Sequence, residues 1–415
     1  MVKNKQFAKN FIWNIVGTTL NAFNSLFFLI IVTRVNGLED AGVFSIAFST
    51  ACILYVIGVY SGRIFQVTDV TDIKDKEFVI NRIITSFSMI VLVLFFVLIR
   101  GYNYYKSVIF VLLCIYKAIE SFSDVLYGVF QKNNSLYKVG VSYTIKAILS
   151  VTTFITINII TKNLIISILS MNIICILVTI LYDVLNANKL YDRKCNIKIK
   201  NVFKIFKTGF FTFAIAFLGV YLLNAPKYAI DNYLSENIQA VFGIIIMPAT
   251  VMGLIAQFII HPYLNTFLEY HKSNKYKELK KLMYRIIIFI FAIGIFCAAI
   301  AYLLGTPVLG FIYNVNLSQY SVHLLVILIS ATFYTAAGII SPILITMRYT
   351  FIQFIIYIAT SVIALISCNM LVKTYDIMGA VIAYFITMFC YFILFYFISI
   401  KIINKKEVLT NNEGK

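Results

Sequence analysis

Apolar stretches of helix-spanning length recur from Phe7 to Ile403, separated by short polar turns. A bilayer core of roughly 30 Å takes about 20 apolar residues of helix to cross, so the pattern predicts a chain built into a membrane. Twelve stretches can be read: residues 7–32, 41–60, 80–98, 107–130, 140–160 and 164–186, then 208–224, 238–267, 282–304, 321–346, 351–371 and 378–403. They lack period-two alternation and are too long for barrel strands. The expected fold class is an all-α integral membrane protein with 12 transmembrane helices in two six-helix lobes. A polar, basic segment near the midpoint divides the lobes, residues 1–200 and 201–415.

Composition agrees. The chain has 415 residues, 61% hydrophobic and 13% charged, and no gap is long enough to fold a soluble domain. A net charge of +18 raises the question of nucleic acid. The distribution answers it: about 27 of the 35 Lys and Arg fall in the N-terminus, the even-numbered gaps or the C-terminal tail. This is the positive-inside pattern with both termini cytoplasmic, and an anionic inner leaflet accounts for it. Membrane lipid is therefore an expected partner and nucleic acid is not. Cys52, Cys114, Cys175, Cys297, Cys368 and Cys390 lie in apolar stretches and Cys195 in a basic gap, without pairing or metal spacing. His261, His271 and His323 are scattered, so neither a metal nor a cofactor is expected. The short basic N-terminus precedes a stretch too long for a signal-peptide core, which reads as an uncleaved first helix.

A weak internal repeat supports two parallel halves. Glu39-Asp40-Ala41-Gly42-Val43-Phe44 opens the second predicted helix, and Glu236-Asn237-Ile238-Gln239-Ala240-Val241-Phe242 opens the eighth. Proline breaks the symmetry, since Pro226, Pro248, Pro262, Pro307 and Pro342 all lie in the second half. Pro248 and Pro342 fall inside predicted helices 8 and 10 and are expected to kink them as hinges.

Ionisable groups inside membrane helices are costly and need partners or water. Lys117, Glu120 and Asp124 stand three and four residues apart on predicted helix 4, so they share a face. Predicted helix 5 carries Lys146, Arg63 closes helix 2, and Arg34 and Lys227 lie in the turns after helices 1 and 7. The reading is a polar cavity between the halves, lined from the first half by helices 1, 2, 4 and 5. In it Arg34, Arg63, Lys117, Lys146 and Lys227 offer charge to an anionic head group. Glu120 and Asp124 would hold the lysines or take up a coupling cation or proton. Asp183 and Arg348 are read as interfacial. The longest outer loops run about fifteen residues, with no Asp-x-Asp and no Gly-rich phosphate loop, which opposes an enzyme and direct drive by nucleotide hydrolysis.

The opening Asn10-Phe11-Ile12-Trp13-Asn14, then Gly17 and Asn21, then Thr33 to Phe44 with its Arg34 and Gly37-Leu38-Glu39-Asp40-Ala41-Gly42-Val43-Phe44 turn, resembles the N-terminus of Wzx-type polysaccharide flippases. Asn224-Ala225-Pro226-Lys227-Tyr228, Gly305-Thr306-Pro307-Val308-Leu309 with Ile312-Tyr313, and Gly379-Ala380 resemble later stretches of that family, in order along the chain. The resemblance implies a member of the multidrug/oligosaccharidyl-lipid/polysaccharide (MOP, MATE-like) exporter superfamily in the bacterial cytoplasmic membrane. It implies alternating access of two six-helix lobes to flip an undecaprenyl-pyrophosphate-linked oligosaccharide repeat for capsule, O-antigen or lipopolysaccharide, alongside other polysaccharide assembly proteins. The diphosphate would then sit among Arg34, Lys117 and Lys146. Two other functions stand beside it: a cation-coupled multidrug exporter of the same superfamily, and a membrane polysaccharide polymerase or ligase.

Overall fold

The computed structural model describes residues 2–68, 73–190, 197–260 and 263–413. Cys195, His261 and Pro262 lie outside the described residues. Packing divides the chain into two compact units, Met1–Phe217 and Leu218–Lys415. Among the described residues the secondary structure is helical throughout.

Unit 1 contains α1 (Val2–Val35), α2 (Leu38–Val59), α3 (Gly62–Thr68), α4 (Asp75–Arg100), α5 (Tyr104–Lys132), α6 (Leu136–Thr161), α7 (Leu164–Val178) and α8 (Leu185–Asn188). Helix α1 lies along α6, and α2 lies against α5 and α4. Local sequence sets the ends. Asn103 accepts the Lys106 amide and caps α5, and Asn163 accepts the Ile166 amide and caps α7. Gly101, in the left-handed region at φ 62°, closes α4. The α1–α6 crossing is tight because Gly17 faces the backbone of Gly140, and Gly140 faces the carbonyl of Trp13. An aromatic cluster of Phe28, Phe44, Tyr116 and Phe154 fills the space between α1, α2, α5 and α6.

Helix α9 (Ile199–Tyr233) begins in unit 1 and ends in unit 2. It is longer than the 208–224 stretch read from hydropathy: the polar Lys-rich start is helical, and Pro226 sits inside the helix. Unit 2 continues with α10 (Glu236–Ile245), α11 (Met247–Ile260), α12 (Leu264–Lys272), α13 (Tyr276–Ile300), α14 (Thr306–Tyr313), α15 (Ser321–Thr346) and α16 (Thr350–Glu413). The helix around Pro248 is broken: α10 ends at Ile245 and α11 starts at Met247, so the proline occupies the first turn of α11, where its missing N–H costs nothing. Helix α15 runs through Pro342 without interruption. Helix α16 bends sharply at Tyr375 and at Asp376 (φ 51°). Phe333 of α15 meets Phe291 of α13 and Phe385, Phe389 and Phe392 of α16, an aromatic seam that joins the three helices.

Among the described residues, ten helices are long and apolar enough to cross a membrane. Helix α5 is long enough at 29 residues but stands outside that set. Its apolar length is interrupted by Lys117, Glu120 and Asp124, and the polar chemistry of unit 1 gathers around it.

Candidate functional site

Three ion pairs of unit 1 involve the candidate residues, and Lys132 with Asp75 forms a further one at 2.9 Å. On α5, Lys117 Nζ lies 2.6 Å from Glu120 Oε2, one helical turn on. The ammonium is also surrounded by rings, with the centroids of Phe48, Tyr116 and Tyr55 at 5.0, 5.3 and 5.7 Å. Asp124 does not join that pair. It faces Arg82 of α4, whose Nη2 lies 3.3 Å from its Oδ2. The shared face of Lys117, Glu120 and Asp124 is therefore split between an intrahelical pair and a bridge to a neighbouring helix.

The third pair corrects the reading of Asp183. This carboxylate is not interfacial: it is fully buried, and its Oδ2 lies 2.6 Å from Lys146 Nζ on α6. A π-helical turn, Thr179–Val184, between α7 and α8 carries it. The wider turn rotates the face that follows, which a 3.6-residue period does not anticipate. Lys146 also donates to Ser123 Oγ and to Tyr127 OH at 3.2 Å, so all three ammonium protons are engaged. Tyr127 and Ser142 hydroxyls bond at 2.8 Å, and Ser123 and Thr179 hydroxyls at 3.2 Å, which ties α5, α6 and the π turn into one network. Burying charge is tolerable only when it is paired and hydrogen-bonded; Lys146 and Asp183 Oδ2 meet both conditions, while Asp183 Oδ1 has no hydrogen-bond partner among the described residues.

With Lys117, Arg82 and Lys146 each matched to a carboxylate, Arg63 adds one further positive charge. It lies in α3, past the end of α2, and its Nη1 is buried without a hydrogen-bond partner among the described residues. Arg82 Nη1 is in the same condition. Tyr143 lies within electrostatic reach of Arg63, Asp124 and Glu120, and Tyr55 within that of Asp124, Glu120 and Arg82. Unsatisfied buried donors of this kind call for an acceptor. Arg82 was not singled out from the sequence, because it stands within a few residues of the inner end of its stretch and hydropathy treats it as a flanking charge.

Asn21, Tyr55, Glu120, Tyr127, Tyr143 and Lys146 line a small cavity in unit 1, with room for water. Its wall is drawn from α1, α2, α5 and α6. Arg34 is not brought to it. It lies exposed in the last turn of α1, and at 1.5 Å per residue that turn is about 20 Å along the helix from Asn21. Lys227 is buried in α9 within unit 2. Among the described residues no cluster of His, Cys, Asp and Glu could hold a metal ion.

The fold is shared with solved flippase and multidrug-transporter structures. The chain is similar over 96% of its length to the lipid II flippase MurJ in an inward closed conformation, covering 90% of that chain, with a TM-score of 0.70 at 16% identity. An inward-facing multidrug resistance MATE family transporter of the MOP superfamily gives 0.68 at 14% identity, over 95% of this chain and 99% of that one. In sequence, the capsular polysaccharide biosynthesis protein CapF of Staphylococcus aureus is 25% identical over 395 residues, 94% of this chain and 98% of the relative. No family model matches the chain. These likenesses agree with the resemblance to polysaccharide flippases carried by the motifs, and with a multi-pass membrane protein.

Proposed function

We propose that the protein is a flippase that carries an undecaprenyl-pyrophosphate-linked oligosaccharide repeat unit across the bacterial cytoplasmic membrane for surface polysaccharide of the capsule type, by alternating access and without catalysis. The observation that carries this reading is the end-to-end similarity to CapF. The MurJ-like fold supports it at the level of architecture. On this reading α5 and the second arm of α16 bring the ten apolar crossings to twelve, and both termini lie in the cytoplasm.

The charge arrangement suggests how a diphosphate is received. Arg63 and the unpartnered Nη1 of Arg82 are the first contacts, since they lose nothing by accepting it. Lys117 follows by exchanging Glu120 for a phosphate oxygen, which costs one ion pair and gains another. Lys146 is held by Asp183 and keeps the wall in shape. Arg34 and Lys227 act at other stages of the passage, and Pro248, at the break between α10 and α11, is the hinge of unit 2.

The multidrug reading draws on the nearly equal likeness to a MATE transporter. It is disfavoured because Glu120, Asp124 and Asp183 each already pair with a cation of the protein, which a cationic drug would have to displace. Proteoliposomes loaded with a labelled undecaprenyl-pyrophosphate glycan decide between them. The protein should move the glycan to the opposite leaflet and Arg63→Ala should slow it at least tenfold, with ethidium left unmoved. A glycan rate equal to that of empty liposomes sinks the proposal.

A further inference from the structure

Between α2 and α3 the backbone passes through three successive residues with positive φ: Tyr60 (26°), Ser61 (69°) and Gly62 (64°). Only the glycine takes this region without a Cβ penalty. For Tyr60 and Ser61 it persists only where the surroundings over-determine it.

Here the surroundings are α9. Tyr60 OH donates to Phe206 O at 2.8 Å, and Ser61 Oγ donates to Gly209 O at 3.1 Å. The Tyr60 ring stacks on Phe213 with centroids 4.6 Å apart and meets Phe206 edge-on at 4.9 Å. Residue 209 has to be glycine for this approach, because a Cβ there would run into Ser61 Oγ. Both accepting carbonyls lie inside α9, where the helix ladder already supplies a hydrogen bond. The hydroxyls can therefore leave without orphaning either carbonyl. What holds the strained turn is thus a set of side-chain contacts that is complete but breakable.

Two further features give the turn something to transmit. The residue after it is Arg63, whose Nη1 is buried without a partner among the described residues. The helix it grips is the one that runs on past Phe217 into unit 2. We infer that the Tyr60–Ser61–Gly62 turn is a releasable latch. Docked, residues 199–217 of α9 hold the turn in its strained form and fix the aim of Arg63. Undocked, the turn relaxes to negative φ and Arg63 is re-aimed. Occupancy of Arg63 and the position of α9 are thereby coupled. This rests on the proposed function only for the identity of the anion that Arg63 receives.

Spin labels on cysteines placed at Leu54 of α2 and Phe211 of α9, in the full chain in lipid nanodiscs with its other cysteines replaced, test the latch without any substrate. The wild-type turn should give a dominant short distance and a minor longer one. Tyr60→Phe with Ser61→Ala, which removes both hydroxyls and keeps the ring, should at least double the longer population. Tyr60→Phe alone should do so in part, with an unchanged melting temperature as the sign that the fold is intact. One distance, identical in all three proteins, overturns the latch. A second arm adds undecaprenyl pyrophosphate in phosphatidylglycerol. The longer population should change in the wild-type turn and stay constant in Arg63→Ala. Lipid that binds and leaves the wild-type distances unchanged also overturns the coupling. Lipid that does not bind at all counts against the proposed function, and the first arm then decides the latch.

Discussion

At the scale of single residues, the charges of unit 1 matter through their pairing rather than their number. Lys146 and Asp183 are both buried, with the lysine side chain 7% exposed and the aspartate 0%. Removing one partner strands the other, at a cost of about 3–5 kcal/mol, while replacing both by apolar groups of similar size leaves stability near its starting value or above it. Lys146→Met and Asp183→Leu should each lower the thermal unfolding midpoint sharply in detergent, and the double variant should recover most of the loss. Additive losses in that cycle would mean that the two groups do not depend on each other. Sequence reasoning found Lys146, Lys117, Glu120 and Asp124 because charge inside an apolar stretch is conspicuous. It misplaced Asp183 because hydropathy reports depth only roughly at a helix end. It passed over Arg82 for the same reason, and so assigned Asp124 to the lysines.

At the scale of elements, hydropathy located nearly every long helix and failed where a helix is not apolar. The short α3, with Arg63 and Gln66, and the Lys-rich start of α9 carry no hydropathy signal, yet α3 carries the guanidinium of Arg63 and α9 holds the turn that precedes it. What positions them is tertiary. Gln66 donates to Val125 O, and Glu77 accepts the Lys198 amide and Asn201 Nδ2, which ties the start of α9 to the start of α4. Helix crossings are the other quantity that periodicity leaves open. Gly17 and Gly140 touch backbone across the α1–α6 crossing, so a methyl group at either forces the helices apart. Gly140→Ala should lower the unfolding midpoint by several degrees and reduce the yield of folded protein. Gly338→Ala is the contrast: it lies in α15 with open space where its Cβ would go, and alanine favours a helix by up to about 1 kcal/mol over glycine. That variant should be as stable as the parent or more so, and equal losses at both positions would contradict the close crossing.

At the scale of the whole molecule the claim is parity. Ten apolar crossings are an even number, and so are twelve, but the two counts place different turns outside. If α5 did not cross, the segments on its two sides, residues 101–103 and 133–135, would share one face of the membrane. If α16 crossed once, Asp376 would lie within the bilayer, although its φ of 51° and that of Lys162 at the end of α6 have the form of surface turns. Helix α5 is 29 residues long, about 44 Å at 1.5 Å per residue, which is ample for crossing, and its charges are balanced within unit 1 rather than shown to lipid. Single cysteines placed in an otherwise cysteine-free protein decide the matter with a membrane-impermeant maleimide on intact cells. Residues 39, 102, 236 and 376 should label from outside. Residues 134, 273 and 406 should label only after permeabilisation, in keeping with the basic inner segments. Labelling of residue 134 from outside would remove α5 as a crossing. The buried pairs it carries would then lie in a re-entrant segment, and the diphosphate would have to be received from one side only, which a flippase cannot do.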